Sequence, residues 1–286
     1  MGRSFTLPNG KVVVKPKSKL WIPLSIFLVL FTGFWFFIDF KASDINISQF
    51  DDILKQMFSP YSAGGIQETW KDYFSYSRVL VEPLMDTMKM SFAGTIIGTL
   101  AAFPFSVLAS VNITKNPWIY QPFKFFSNLI RTIPLMVVAL IAVLFVGTGI
   151  LSGIMAITFF SFSIMIKMLY EVIETVDMGP NEALEACGGN KVTAFRYAIF
   201  PQIVTTYIGY IVYIFEINIR SSAILGYVGA GGIGSVLKDN VLYRYDRVGL
   251  IIIVLVVLFS IIQIITNLIK SKLVWWRKIE YLKIQQ

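Results

Sequence analysis

Five stretches of 19 or more residues carry no charged residue, and their lengths restrict the fold more than any other feature. They span residues 20–38, 90–114, 132–166, 197–215 and 248–269. About 20 apolar residues cross a bilayer as a helix, which satisfies its own backbone hydrogen bonds in lipid. The third stretch holds 35 residues, too many for one crossing. Gly147-Thr148-Gly149 and Ser152-Gly153 supply a tight turn within it, so it reads as two spans. The expectation is an all-α integral membrane protein of about six transmembrane helices. Only 15% of residues are charged, against about 25% in soluble domains, which leaves too little polar surface for a soluble coat. Prolines 104 and 134 fall inside apolar runs, where a packed bundle tolerates kinks.

The net charge of +8 sits mostly at the ends. Arg3, Lys11, Lys15, Lys17 and Lys19 precede the first run without an acid, and Lys270, Lys272, Arg277, Lys278 and Lys283 follow the last against Glu280. Cations flanking apolar runs are a topology signal, not a nucleic-acid footprint. An even number of spans puts both termini on one side, and the basic ends assign that side to the cytoplasm. Residues 39–78 then lie outside and 167–200 inside. The segment 226–247 fits poorly, because an external loop would carry Lys238, Arg244 and Arg247. The first run exceeds a signal peptide's apolar core and no A-x-A site follows, so it reads as an uncleaved anchor.

The expected organisation is a basic N-terminus (1–19), a first span (20–38), an external segment (39–78), a core transmembrane domain (79–270) and a basic C-terminus (271–286). In the external segment, Phe50, Ile53, Leu54, Met57 and Phe58 share one helical face. That helix either lies on the outer membrane face or forms a docking ledge for an external partner. Glu82 and Asp86 read as interfacial, and Arg131 as a cation snorkelling from the start of the third span.

Several chemistries are excluded. With no histidine, histidine-based zinc, haem and triad chemistry is absent. Cys187 is the single cysteine, so no disulfide forms within the chain. No G-x-x-x-x-G-K-[ST] string occurs, so any ATP and magnesium would be bound by a partner, and the chain is not read as an enzyme.

Residues 177–201, "DMGPNEALEACGGNKVTAFRYAIFP", form the most informative internal loop. Pro180 suits a first helical turn, and Glu182 and Glu185 follow where the helix dipole favours anions. Ala183 and Ala186 permit close approach by a partner. Gly188-Gly189 allows the left-handed geometry that ends a helix. A second short helix then leads to Pro201 and the fifth run.

This loop resembles the "EAA" loop of ABC-importer permeases, in which E-A-A is followed by three residues, Gly, nine residues and I-x-L-P. Glu182, Ala183, Gly188 and Pro201 match, whereas Leu184, Ala198 and Phe200 depart from it. Together with "FEINIRSSAILGYVGAGGIG", "RTIP" at 131–134 and the span that begins "MKMSFAGTIIG", the chain resembles the phosphonate ABC-transporter permease family over about residues 80–270. The resemblance implies the type I importer permease fold, with a coupling helix at 182–188 seated on a cytoplasmic ATPase dimer. It implies a homodimer or paired permease, an extracellular substrate-binding protein, and a phosphonate-like or other phosphorus oxyanion as cargo. A permease for a different small solute and an ion-coupled secondary transporter are the alternatives; the latter needs carboxylates or a proton relay inside its spans.

Glu216 and Arg220 follow the fifth run at i, i+4, in the order favourable for a helical ion pair. One reading is a self-neutralising pair at the outer end of the span. The other is that Arg220, with Glu216, Asn218 and Ser221, lines the translocation pathway, where a guanidinium binds an oxyanion bidentately. Beyond them, Gly226, Gly229, Gly231, Gly232 and Gly234 contain G-x-G-x-x-G, with Asp246 seventeen residues past Gly229. A dinucleotide turn follows a strand, whereas this one follows an apolar span, so the glycines are expected to form a tight re-entrant turn acting as gate or packing element.

Overall fold

The computed structural model describes residues 4–6, 12–14, 21–37, 47–58 and 70–284, with side chains undescribed at 4–6, 12–14, 35–37, 47, 72 and 274–284. The N-terminal cations lie outside the described residues, and the side chains of those at 277, 278 and 283 are not described. Contacts divide the chain into residues 1–52 and 53–286.

The first unit contains an antiparallel ribbon, β1 (Ser4–Thr6) and β2 (Val12–Val14), with Ser4 opposite Val14. This short ribbon accompanies the helical architecture; its second strand is three consecutive β-branched valines. Helix α1 (Trp21–Phe37) occupies the first apolar run, and its residues from Trp21 to Phe31 are exposed. Helix α2 (Ile47–Phe58), the amphipathic helix expected from the 50–58 pattern, runs across the division, so that its residues 53–58 belong to the second unit.

In the second unit, α3 (Trp70–Ser75) leads into α4 (Ser77–Ala109), α5 (Pro117–Thr132), α6 (Leu135–Val146) and α7 (Ile150–Glu174). Then come α8 (Gly179–Ala186), α9 (Lys191–Ala194), a π-helical turn (Phe195–Ile199) and α10 (Phe200–Leu225). A 3-10 turn (Gly226–Val228), α11 (Ile233–Asn240) and α12 (Tyr245–Ile284) complete the chain. Among the described residues, four helical segments are long and apolar enough to span a membrane: 73–109, 150–174, 191–228 and 245–273. Helices α5 and α6 pass the test jointly and meet at 90°, and α1 is a shorter apolar helix. Of the six expected spans, four correspond to these long helices and a fifth to the bent α5–α6 pair, while α1, over its described residues, is shorter than a span.

The boundaries differ instructively. The second span starts at Ser77, thirteen residues before Met90, because Arg78, Glu82, Asp86 and Lys89 interrupt the apolar run without interrupting the helix. The third does not start at Arg131, which lies in the last turn of α5. Pro134 has no N–H and forces Ile133 out of helical geometry (φ −79°, ψ 121°), which produces the bend. The turn expected at residues 147–149 is present, with Gly147 and Gly149 at φ +88° and +135°.

Packing of α4 on α7 builds the centre of the bundle. Gly94 and Gly98, one turn apart, remove side chains where α7 crosses: a Cβ on Gly98 would sit 2.8 Å from Ser161 Cβ and 2.5 Å from the Thr158 carbonyl. Small-xxx-small spacing is how helices approach closely in lipid. Below this crossing, Ala102, Met165, Leu169, Ile173, Ile203 and Tyr207 form one buried cluster; Met90, Ala139, Ile157, Leu225 and Ala230 form a second. In a third, α3 and α4 meet α11 and α12 through Tyr73, Leu80, Ile233, Leu250 and Ile251. The C-terminal end of α2 joins it, because Tyr73 Oη donates to the Met57 carbonyl at 2.9 Å and Gly249 leaves room for the same carbonyl. At this end α2 packs against protein, an outcome in neither sequence reading.

Candidate functional site

The loop at 177–201 is an exposed helical hairpin. Asp177 Oδ1 accepts the Gly179 N–H at 2.9 Å, and Pro180 stands in the first turn of α8, as its fixed φ suits. Glu182, Ala183, Glu185, Ala186, Cys187 and Gly188 are all exposed. Asn181 beneath them donates to Glu185 Oε1 at 3.2 Å. Gly188 has φ +86°, and the Gly189 N–H returns to the Leu184 carbonyl at 2.9 Å, ending the helix in left-handed geometry. Asn190 caps α9 through the Thr193 N–H at 2.8 Å. Pro201 enters the first turn of α10.

The hairpin is fastened at its base. Gln202 accepts from the Asp177 N–H at 3.1 Å and donates to the Asp177 carbonyl at 3.0 Å. One turn earlier, Glu174 accepts from Lys124 at 2.7 Å and from the Val111 N–H at 3.0 Å. These bonds tie the base of the hairpin to the ends of α7 and α10, and Glu174 ties α7 to α5. Neither Gln202 nor Lys124 stands out in the sequence, because a single polar residue at a helix end has no pattern around it.

The expected pathway residues separate into two groups. Asn218 is wholly buried, with its amide nitrogen donating to Thr95 Oγ1 and Ser161 Oγ at 2.7 Å each. It ties α10 to α4 and α7 and lines no open surface of the protomer, in contrast to the expectation. Ser221 is half-buried. Glu216 and Arg220 are paired at 2.6 Å as the spacing predicts, but within α10, not at its outer end. Glu216 lies about 3 Å along the axis from Asn218, at the level where three spanning helices cross.

A third charge joins them. Lys270 Nζ donates to Glu216 Oε2 at 2.8 Å, and Thr266 Oγ1 approaches the same oxygen at 3.3 Å. Gln263 accepts from Arg220. In the sequence Lys270 reads as the first cation of the basic end. The overlooked signal is the polar stripe Gln263, Thr266, Asn267 and Lys270 at helical spacing on α12, beside the apolar Ile261, Ile264, Ile265 and Leu268.

The glycine string makes a compact turn against the bend between α6 and α7. Gly229, Gly231 and Gly232 have φ +89°, +78° and +71°, values that L-residues avoid. The Gly149 N–H donates to the Gly229 carbonyl at 2.9 Å. A Cβ on Gly231 would fall 3.2 Å from the Gly149 carbonyl carbon, and Gly226 and Gly234 pack backbone to backbone. Helix α11 follows, yet its first N–H, at Ile233, is buried and bonded to Thr87 Oγ1 at 2.9 Å. A helix precedes the glycines, not a strand, so the dinucleotide geometry is absent.

Two of the three cations that fitted the loop 226–247 poorly are engaged locally, while Lys238 is exposed on α11. Arg244 holds Asp246 through Nε at 3.1 Å and Nη2 at 2.9 Å, and Arg247 lies 4.7 Å from the Tyr76 ring centre. They border a cavity of about 370 Å³ with Tyr73 and Ser75.

A bundle of apolar helices, an exposed acidic hairpin fastened to two of them and charges held among them define the membrane subunit of a transport system. The family described as "Binding-protein-dependent transport system inner membrane component" matches residues 81–274, and the chain belongs to it. A Stutzerimonas stutzeri protein provisionally named a phosphite transport system permease, HtxC, is 31% identical over 91% of this chain and 89% of its own length. The phosphate-import permease PhnE of Mycolicibacterium smegmatis is 31% identical over 66% of this chain, which spans 36% of that protein. Among solved structures, an inward-facing MetNI methionine ABC transporter chain superposes with TM-score 0.63 at 21% identity, covering 70% of this chain and 98% of that one. That likeness shows the fold.

Proposed function

We infer that this permease imports a phosphorus oxyanion such as phosphite, phosphate or a phosphonate, driven by a separate ABC ATPase. The observation that carries the cargo is the 31% identity, over nearly the full chain, to a protein provisionally named a phosphite permease. The exposed Arg220 and half-buried Lys270 of the Glu216 cluster agree, since one net positive charge attracts an oxyanion and repels a quaternary ammonium solute.

The hairpin carries the coupling. Glu182, Ala183, Glu185 and Gly188 meet the ATPase, with Pro201 and Gln202 passing its motion to α10. ATP and magnesium belong to that partner. Both termini and the hairpin are cytoplasmic, two permease protomers form the pathway, and an external binding protein delivers cargo to the opposite face. ATP-driven closure shifts the pair from inward- to outward-facing; the permease does no covalent chemistry and works by stabilising the two states unequally. The glycine turn at 226–234, packed against the α6–α7 bend, serves as gate.

Disrupting the gene and measuring initial uptake of radiolabelled phosphite, phosphate and methylphosphonate tests this reading. Loss of at least one uptake, restored by the intact gene, is expected. Unchanged uptake of all three would overturn the cargo assignment.

A further inference from the structure

Glu216 is 7% exposed, whereas the side chains of its partners Arg220 and Lys270 are 48% and 30% exposed. The carboxylate therefore sits behind, and the two cations stand in front of it on the face shared by α10 and α12. Each cation takes one carboxylate oxygen: Arg220 Nη2 meets Oε1 at 2.6 Å and Lys270 Nζ meets Oε2 at 2.8 Å. The group is at mid-bundle depth, level with the buried Asn218 contacts. Charges at such depth are costly against lipid and face a polar path or a partner. The surrounding surface adds hydroxyls: Lys270 lies 5.3 Å from the Tyr213 ring centre and borders a cavity of about 450 Å³ lined also by Thr205, Thr206 and Tyr210.

We propose that Glu216 is a resident counter-ion, and that the transported oxyanion displaces it from Arg220 and Lys270 in a transient two-cation site. The inference rests on the oxyanion reading of the function. A phosphorus oxyanion presents oxygens to guanidinium and ammonium donors as a carboxylate does, so it competes for the same N–H groups. Glu216 keeps Thr266 as a hydrogen-bond partner while the donors turn outward. Two unopposed cations at this depth would trap an anion; the returning carboxylate provides a matched competitor that drives release. Weak binding is then a consequence of the exchange, as passage requires. Arg220 alone, the residue prominent in the sequence, is half of the site.

The test uses the purified permease–ATPase complex without its binding protein, so that affinity reports the permease. Equilibrium binding of radiolabelled phosphite is measured for wild type and for Glu216→Gln, Lys270→Gln and Lys270→Arg, alongside maximal uptake in cells. Glu216→Gln binds on the order of tenfold more tightly, the scale of one charge-assisted hydrogen bond, while its maximal uptake falls. Lys270→Gln loses binding and Lys270→Arg retains it. Should Glu216→Gln fail to assemble, the double variant Glu216→Gln/Lys270→Gln keeps the wild-type net charge and binds more weakly than wild type. Unchanged affinity in Glu216→Gln, or wild-type affinity in Lys270→Gln, would overturn the exchange site alone. Failure of wild-type cells to import any phosphorus oxyanion would remove both the functional reading and the site. Loss of co-purified anionic phospholipid in Lys270→Gln, with phosphite binding intact, would assign the cations to a lipid headgroup and also overturn it.

Discussion

Gln202 holds Asp177 from both sides: its amide oxygen accepts the Asp177 N–H at 3.1 Å and its amide nitrogen donates to the Asp177 carbonyl at 3.0 Å. The two residues close the base of the hairpin and tie it to the first turn of α10. Gln202→Ala removes both bonds, each contributing about 0.5–1.5 kcal/mol. The expected outcome is uncoupling, with ATP hydrolysis retained and uptake per ATP reduced. Comparing the two rates in the reconstituted importer checks this, and a proportional fall in both would place Gln202 outside the coupling route.

The crossing of α4 and α7 depends on the absence of a side chain at Gly98. Gly98→Val would press on the Thr158 carbonyl and Ser161, an overpacking that costs about 1–3 kcal/mol or more. Gly209 on α10 has no atom within 4 Å of a built Cβ, so Gly209→Ala should be tolerated. Thermal stability in detergent separates the two, Gly98→Val falling well below wild type and Gly209→Ala matching it.

Thr87 Oγ1 receives the Ile233 N–H, and that N–H is buried. Thr87→Val keeps the shape and leaves the donor without this acceptor, a loss of about 1–3 kcal/mol. Lower stability with no effect of added NAD is expected. Stabilisation of wild type by NAD would restore the dinucleotide interpretation of the glycines.

How much was legible depended on whether a feature has a period. The apolar runs marked four long spans, the bent α5–α6 pair and the shorter α1, and the glycines, Pro180 and Gly188 marked the turns and the hairpin, since each rests on local backbone physics. Helix starts were less visible: α4 begins among charges at Arg78 and Glu82, and α5 carries Lys124 and Arg131, so neither start looks apolar. Asn218 looked like a pathway residue because its partners, Thr95 and Ser161, are 123 and 57 positions away. Lys270 was hidden for the opposite reason. It ends an apolar run, where a cation is ordinarily a topology mark, and only tertiary packing brings it to Glu216.

Coupling through the hairpin is tested most directly with Cys187, the chain's sole cysteine, exposed directly after α8. A membrane-impermeant maleimide is applied to sealed inside-out and right-side-out vesicles, with and without the ATPase. Labelling is expected only in inside-out vesicles stripped of the ATPase, with protection when the ATPase is restored. Labelling from the external side, or labelling indifferent to the ATPase, would contradict a cytoplasmic hairpin seated on its motor.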